Sequence, residues 1–255
     1  ACAPTGGKPF ARLHLDLGCG KGTYLVERAR REPDTLFIGM DQEPICIAYA
    51  AQKICEQELP NALVLPRGAA SLPRLFAAGE LDAITINFPT PQPKAKYAKK
   101  RLVHVDHLML YRPLFAGGAT VTLRTDSKPL HDYALGQFAA AGYGTLWVSD
   151  DVRRDHPEHP ETEYECRTRE MGAIVYGICA TPATQPTDEQ LEVGRAQEQS
   201  LACYLPDDLD ELTYVPLGME EAVENFKNRA RKGKKRLPQE SQGPLMVAAS
   251  ANRRK

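Results

Sequence analysis

From Leu13 to about Ala180, short apolar runs alternate with stretches whose apolar positions recur at helical spacing. This alternation predicts parallel strands joined by crossover helices. Seven strands are expected, at Arg12–Leu17, Leu36–Met40, Ala62–Pro66, Asp82–Phe88, Ala119–Thr125, Gly144–Ser149 and Ala173–Ala180. Helices are expected near 22–31, 43–57, 104–115, 127–141 and 163–171. The last two strands are linked by a long polar segment and a short helix, which favours an antiparallel hairpin at the sheet edge. The fold class is therefore α/β and Rossmann-like, a seven-stranded, mostly parallel sheet with helices on both faces. After Thr181 the pattern fades into the linker Thr181-Pro182-Ala183-Thr184-Gln185-Pro186. We place one domain at 1–181 and a C-terminal extension at 182–255.

Composition narrows the setting. The chain is 42% hydrophobic and 25% charged, ordinary for a soluble globular protein. A net charge of −1 argues against a uniformly basic surface, so any nucleic-acid contact must come from local clusters. The extension segregates charge most sharply. Asp207, Asp208, Asp210, Glu211, Glu220, Glu221 and Glu224 precede Lys227, Arg229, Arg231, Lys232, Lys234, Lys235 and Arg236. A solvated, weakly helical tail and a phosphate-contacting arm explain this equally well. Seven cysteines, none paired as C-x-x-C, fit neither a disulfide framework nor a zinc ribbon and point to a reducing, cytoplasmic compartment. No apolar run resembles a signal peptide or membrane span.

Leu15-Asp16-Leu17-Gly18-Cys19-Gly20-Lys21-Gly22 ends a strand and opens a helix, with glycines that let the backbone turn tightly beside a ligand. A dinucleotide fingerprint would need glycine at position 23, which is Thr23, whereas G-x-G-x-G matches an S-adenosylmethionine turn. Asp16 can hold the cationic amino-acid end of that cofactor, where a pyrophosphate would be repelled. Asp41 ends the second strand roughly 20 residues past the glycines, where a carboxylate can grip both ribose hydroxyls. Its bland role is to cap the helix starting at Glu43. After the third strand, where an acid for the adenine amine is common, the position is Ala69, leaving adenine to backbone atoms or stacking. With this turn, the expected topology becomes that of class I S-adenosylmethionine-dependent methyltransferases.

The fourth strand runs into Asn87-Phe88-Pro89-Thr90-Pro91-Gln92-Pro93-Lys94, and from Lys94 to Arg101 the chain places five basic side chains in eight residues. A proline-stiffened basic loop at a strand's carboxyl end suggests an RNA contact over an ordinary solvated run, through Lys94, Lys96, Lys99, Lys100 and Arg101, with Tyr97 available to stack on a base.

With the glycine turn, this loop, Thr125-Asp126 and Thr162-Glu163-Tyr164-Glu165 in one order, residues 12–180 resemble the TrmB-like tRNA (guanine-N7)-methyltransferases. The resemblance implies methyl transfer from S-adenosylmethionine to N7 of a guanosine in the tRNA variable loop. It implies cofactor contacts at Asp16, Gly18, Gly20 and Asp41, beside which Ala69 and Asn87 are further cofactor candidates. It further implies substrate contacts at Lys94, Asp126, Thr162, Glu163 and Glu165, with Asp126 catalytic. The family loop usually reads F-P-D-P-W-x-K, so Thr90 stands for the acid thought to be catalytic and Gln92 for the aromatic. Because guanine N7 carries a lone pair and no proton, no general base is required, and a working, slower enzyme is expected.

Plainer roles accompany these. Asp126 could cap the helix that follows, and Glu163 and Glu165 suit a helix first turn in any case. His156, His159, Glu163 and Glu165 superficially suggest a metal site, but their irregular spacing argues for none. Cys19 is expected to pack beneath the turn. The competing functions are a methyltransferase for another RNA or a small molecule, suggested by Thr90, Gln92 and Ala69, and a non-catalytic RNA-binding protein, against which Gly18, Gly20 and Asp41 count.

Overall fold

In a computed structural model, which describes residues 9–209, 212 and 214–231, seven strands form one sheet in the order β3-β2-β1-β4-β5-β7-β6. The elements run β1 (Arg12–Leu17), α1 (Thr23–Arg31), β2 (Thr35–Met40), α2 (Pro44–Glu56), β3 (Ala62–Leu65), α3 (Leu72–Leu75), β4 (Leu81–Asn87), α4 (Val105–Tyr111) and β5 (Phe115–Thr125). They continue through α5 (Lys128–Ala140), β6 (Tyr143–Ser149), α6 (Val152–Asp155), α7 (Glu163–Glu170), β7 (Tyr176–Pro182), α8 (Asp188–Ala196) and α9 (Glu220–Arg231). Strands β1 to β5 pair in parallel. β7 lies between β5 and β6, antiparallel to both, with Arg124 opposite Gly177. Gly177 is required there: a Cβ would fall 2.6 Å from Val152 and 2.8 Å from the Trp147 ring.

Strand alternation gives the sheet two unlike faces. Leu13, Leu15, Leu17, Ile84, Ile86, Val121, Leu123, Ile178 and Ala180 point into the main core against α4 and α5. The opposite face carries His14, Asp16, Thr85, Asn87, Thr122 and Arg124, and α1 and α2 build a smaller core there around Leu25, Phe37 and Ile54. Helices therefore cover both faces, as expected.

The observed strands and helices shift only slightly from the expected ones. The seventh strand starts at Tyr176 because α7 ends at Glu170 and Gly172 turns the chain at φ +90°. Beyond β7 the described residues are more tightly packed than their pattern suggests. Thr187 and Gln190 form a capping box on α8, Gln137 donates to the Gly194 carbonyl at 2.8 Å, and Leu201, Leu205, Met219 and Val223 are buried in the main core. Asp210, Glu211, Lys232, Lys234, Lys235 and Arg236 lie outside the described residues.

Candidate active site

The glycine turn is held by backbone bonds and one carboxylate. The amides of Gly18 and Cys19 donate to the Met40 carbonyl at 2.7 and 3.0 Å, and that of Gly20 donates to Asp41 Oδ2 at 2.9 Å. Asp41 Oδ1 accepts from the Glu43 amide, so this carboxylate ties the turn to the approach of α2, whose N-cap is Glu43 and not Asp41. Gly18 and Gly20 have φ of +82° and +52°, and no atom lies within 4 Å of where a Gly20 Cβ would stand, which leaves the turn open to a ligand. Gly22 serves packing instead: its φ is +73° and a Cβ would come 2.7 Å from that of Ala50 on α2.

Asp16, 1% exposed, accepts from Asn87 Nδ2 at 3.3 Å through Oδ1, while its buried Oδ2 has no hydrogen-bond partner. Burial pushes its carboxyl up to about 7, against the pull of Asn87 and Arg124. A buried acid with an unpartnered oxygen beside an open glycine turn fits the ammonium of S-adenosylmethionine. Ala69 places its methyl in the core at the start of a short turn, leaving only its backbone for adenine. Burial raises the Cys19 thiol, which makes it a packing group.

Asn87 couples this turn to the loop after β4. Its Oδ1 accepts from Arg124 Nη1 at 3.4 Å, and Arg124 also donates to the Pro160 carbonyl and to Glu165. Phe88 and Gln92 hold φ of +48° and +52°, an uncommon conformation for side-chain-bearing residues, and it accumulates where loops are functionally constrained. Thr90 is exposed on this loop. The loop then forms a 3-10 helix, Ala95–Lys100, with Lys96, Lys99 and Lys100 exposed and the ammoniums of Lys96 and Lys100 within 4.9 and 4.8 Å of the Tyr97 ring. Lys94 meets Glu221 of α9 at 2.8 Å.

Two expected contacts need correction. Arg101 is 1% exposed. It donates to the carbonyls of Pro91, Gln92 and Gln199 and lies over the Tyr133 ring, so it braces the loop from inside and offers nothing to an RNA backbone. Glu165 is equally enclosed. It binds Arg124, contacts Arg153 and closes the capping box of α7 with Thr162, so it cannot reach a substrate. Thr162 uses its hydroxyl as the acceptor for the Glu165 amide.

Asp126, at the end of β5, is 7% exposed, and its Oδ2 accepts from both Tyr164 at 2.8 Å and Tyr214 at 2.7 Å. Ser127, and not Asp126, caps α5. Glu163 accepts from Thr23 and Lys53, which holds its carboxyl below the usual range and joins the start of α7 to the glycine turn. His156, Glu158 and His159 cluster together without Glu163 or Glu165, with the Trp147 ring tilted against that of His156 at 4.1 Å between centroids. Arg124, Arg153, Tyr214 and Glu221 were not visible as site residues in the sequence. Tyr214 and Glu221 bond partners 88 and 127 positions away and Arg124 bonds partners 36 to 41 away, beyond any local spacing rule, while Arg153 meets Glu165 across the break between α6 and α7.

No helix among the described residues is long and apolar enough to cross a membrane. The fold resembles solved methyltransferases at low identity. An antibiotic-related methyltransferase superposes with a TM-score of 0.55 at 20% identity, over 67% of this chain and 88% of that one. The 16S rRNA methyltransferase KamB gives 0.54 at 18%, over 69% and 90%. These show a class I S-adenosylmethionine-dependent methyltransferase fold. The family Methyltransf_4, described as "Putative methyltransferase", matches residues 11–178. A tRNA (guanine-N(7)-)-methyltransferase of Streptococcus equi subsp. zooepidemicus is 31% identical over 170 residues, 66% of this chain and 81% of the relative. One from Geobacillus thermodenitrificans is 34% identical over 165 residues, 64% and 76% respectively. With the glycine turn, the basic loop and Asp126 set at the carboxyl ends of β1, β4 and β5, the chain belongs to the tRNA (guanine-N7)-methyltransferase family.

Proposed function

We propose that this protein methylates N7 of a guanosine in the variable loop of tRNA, in the cytoplasm, with S-adenosylmethionine as methyl donor. The observation that carries the reading is the Asn87 bridge: one side chain bonds the unsaturated Asp16 carboxylate on one side and Arg124 on the other, setting the cofactor turn at the root of the basic loop. Bound S-adenosylmethionine supplies an electrophilic methyl on a sulfonium.

Asp16 would hold the ammonium of that donor, the Gly18–Gly20 backbone would leave room for its chain, and Asp41 would take the ribose with the lone pairs its two backbone bonds leave free. Lys96, Lys99 and Lys100 neutralise phosphates, and Tyr97 offers a stacking face between two cations. Lys94 joins them once it leaves Glu221. Asp126, Thr162 and Glu163 form the guanine side. Because N7 attacks with its own lone pair, these residues need only align it and stabilise the positive charge that passes to the purine, which a carboxylate at Asp126 does without accepting a proton. Thr90 contributes a hydroxyl where the resemblance implies an acid, so Thr90→Asp is expected to raise turnover.

The test is methyl incorporation from labelled S-adenosylmethionine into an unmodified tRNA transcript and into one whose variable-loop guanosine is replaced by adenosine. Label in the first alone, recovered as 7-methylguanosine, is the expected result. Label in both, or in neither while the donor still binds, refutes it.

A further inference from the structure

The family match ends at residue 178, yet part of the guanine side comes from beyond it. Tyr214 donates its hydroxyl to Asp126 Oδ2 at 2.7 Å, and Tyr164, inside the match, donates to the same atom at 2.8 Å. Burial pushes the Tyr164 phenol up to about 12 and Tyr214 higher still, so both remain protonated donors at neutral pH. Neither bond goes to Oδ1. Two charge-assisted bonds on one oxygen fix the carboxylate's rotation and occupy the lone pairs of Oδ2.

The segment that follows Tyr214 is fastened in place. The Met219 amide closes a turn onto the Pro216 carbonyl, Met219 is fully buried, and Val223 lies in the same core. Gly218, at φ +88°, abuts Pro91 and Thr90: a Cβ there would lie 3.6 and 3.8 Å from them. Glu221 holds Lys94. The extension thus touches both the basic loop and the acid proposed to read guanine.

Resting on the methyltransferase reading above, we propose that Tyr214 is a positioning residue for guanosine, holding Asp126 Oδ2 so that Oδ1 is the oxygen presented to the base. In this chain the guanosine site is completed by the extension, and Tyr164 alone leaves the carboxylate free to rotate. The prediction is a cycle of Tyr214→Phe, Asp126→Asn and the double variant, measured for kcat and KM with tRNA, S-adenosylhomocysteine affinity by calorimetry, and thermal midpoint. Tyr214→Phe is expected to lower kcat/KM for tRNA about tenfold, the scale of one charge-assisted hydrogen bond, with S-adenosylhomocysteine affinity unchanged. In the Asp126→Asn background the same change is expected to cost nothing further.

Tyr164→Phe serves as the comparison. A tenfold loss there with none in Tyr214→Phe overturns the proposal, as does an equal loss from Tyr214→Phe in both backgrounds, the mark of a merely structural role. If the parent methylates no guanosine, the functional reading fails; if it does and Tyr214→Phe matches it, this inference alone fails.

Discussion

The Arg124 guanidinium and the Glu165 carboxylate meet at 2.5 Å with neither side chain exposed to solvent. Arg153 adds a charge contact to Glu165 at 2.6 Å, its angle not that of a hydrogen bond, and Asn87 ties the pair to Asp16. A line of buried polar groups thus runs from the base of α7 to the glycine turn.

Removing one partner of such a pair strands the other charge. Glu165→Ala is expected to cost about 3–5 kcal/mol, because Arg124 then stays buried without its counter-ion. In a chain of this size that lowers the thermal midpoint by on the order of 10 °C. A melting curve within a degree or two of the parent would show that the pair carries no such weight.

With Asp16 as the proposed ammonium site, donor binding is expected to depend on pH. Burial raises its folded carboxyl to about 7 from the ordinary 3.8, so between those limits the folded state holds a proton that the unfolded state releases. The sign follows: this group's contribution to stability falls as pH rises from about 4 to 7, the reverse of a salt-bridged carboxylate. An ammonium ligand prefers the ionised form, so affinity for S-adenosylmethionine should rise from pH 6 to pH 8, with proton release on binding near pH 6.5. Calorimetry in two buffers of different ionisation enthalpy measures that release, and Asp16→Asn should abolish it; a flat profile in the parent would count against Asp16 as the ammonium site.

Glu221 holds the Lys94 ammonium that the proposed function assigns to RNA. Both groups are exposed, so the pair is weak and should be screened by salt. Glu221→Gln is expected to tighten tRNA binding about two- to fivefold at low salt, with the gain vanishing above physiological ionic strength. Filter-binding or anisotropy titrations decide it, and weaker binding by Glu221→Gln would mean that the contact organises the loop for RNA.

The basic loop divides into surface and brace. Lys99→Ala and Lys100→Ala should each reduce the slope of log affinity against log salt by about 0.7, while Arg101→Ala should leave that slope alone and lower the thermal midpoint. Its guanidinium holds three carbonyls and no solvent-facing contact. An Arg101→Ala variant with parental stability and a shallower slope would restore it to the RNA surface.

The sheet was legible in the sequence because its faces differ so strongly. Leu13, Leu15 and Leu17 alternate with His14 and Asp16, and that period specifies both strand and orientation. The glycine turn was legible through its own spacing. Arg101 was misread because a run of basic residues looks alike whether a side chain points out or beneath the loop; only the carbonyls of Pro91, Gln92 and Gln199 distinguish it. Glu165 was misread for the same reason, since its acid suits a helix first turn and a substrate equally well until Arg124 is seen against it. The segment past Thr181 hid its order because Leu201, Leu205, Met219 and Val223 are scattered among polar residues and gain meaning only against a core built elsewhere.

β7 sits between β5 and β6, although both precede it in the chain. As the polypeptide leaves the ribosome, β6 has no neighbour to pair with until residues 176–182 are made, and β5 keeps an open edge for the same interval. The sheet therefore closes late, by insertion rather than by stepwise addition. Nascent chains arrested before Tyr176 should present the β5 edge to chaperones, and those arrested after Pro182 should not.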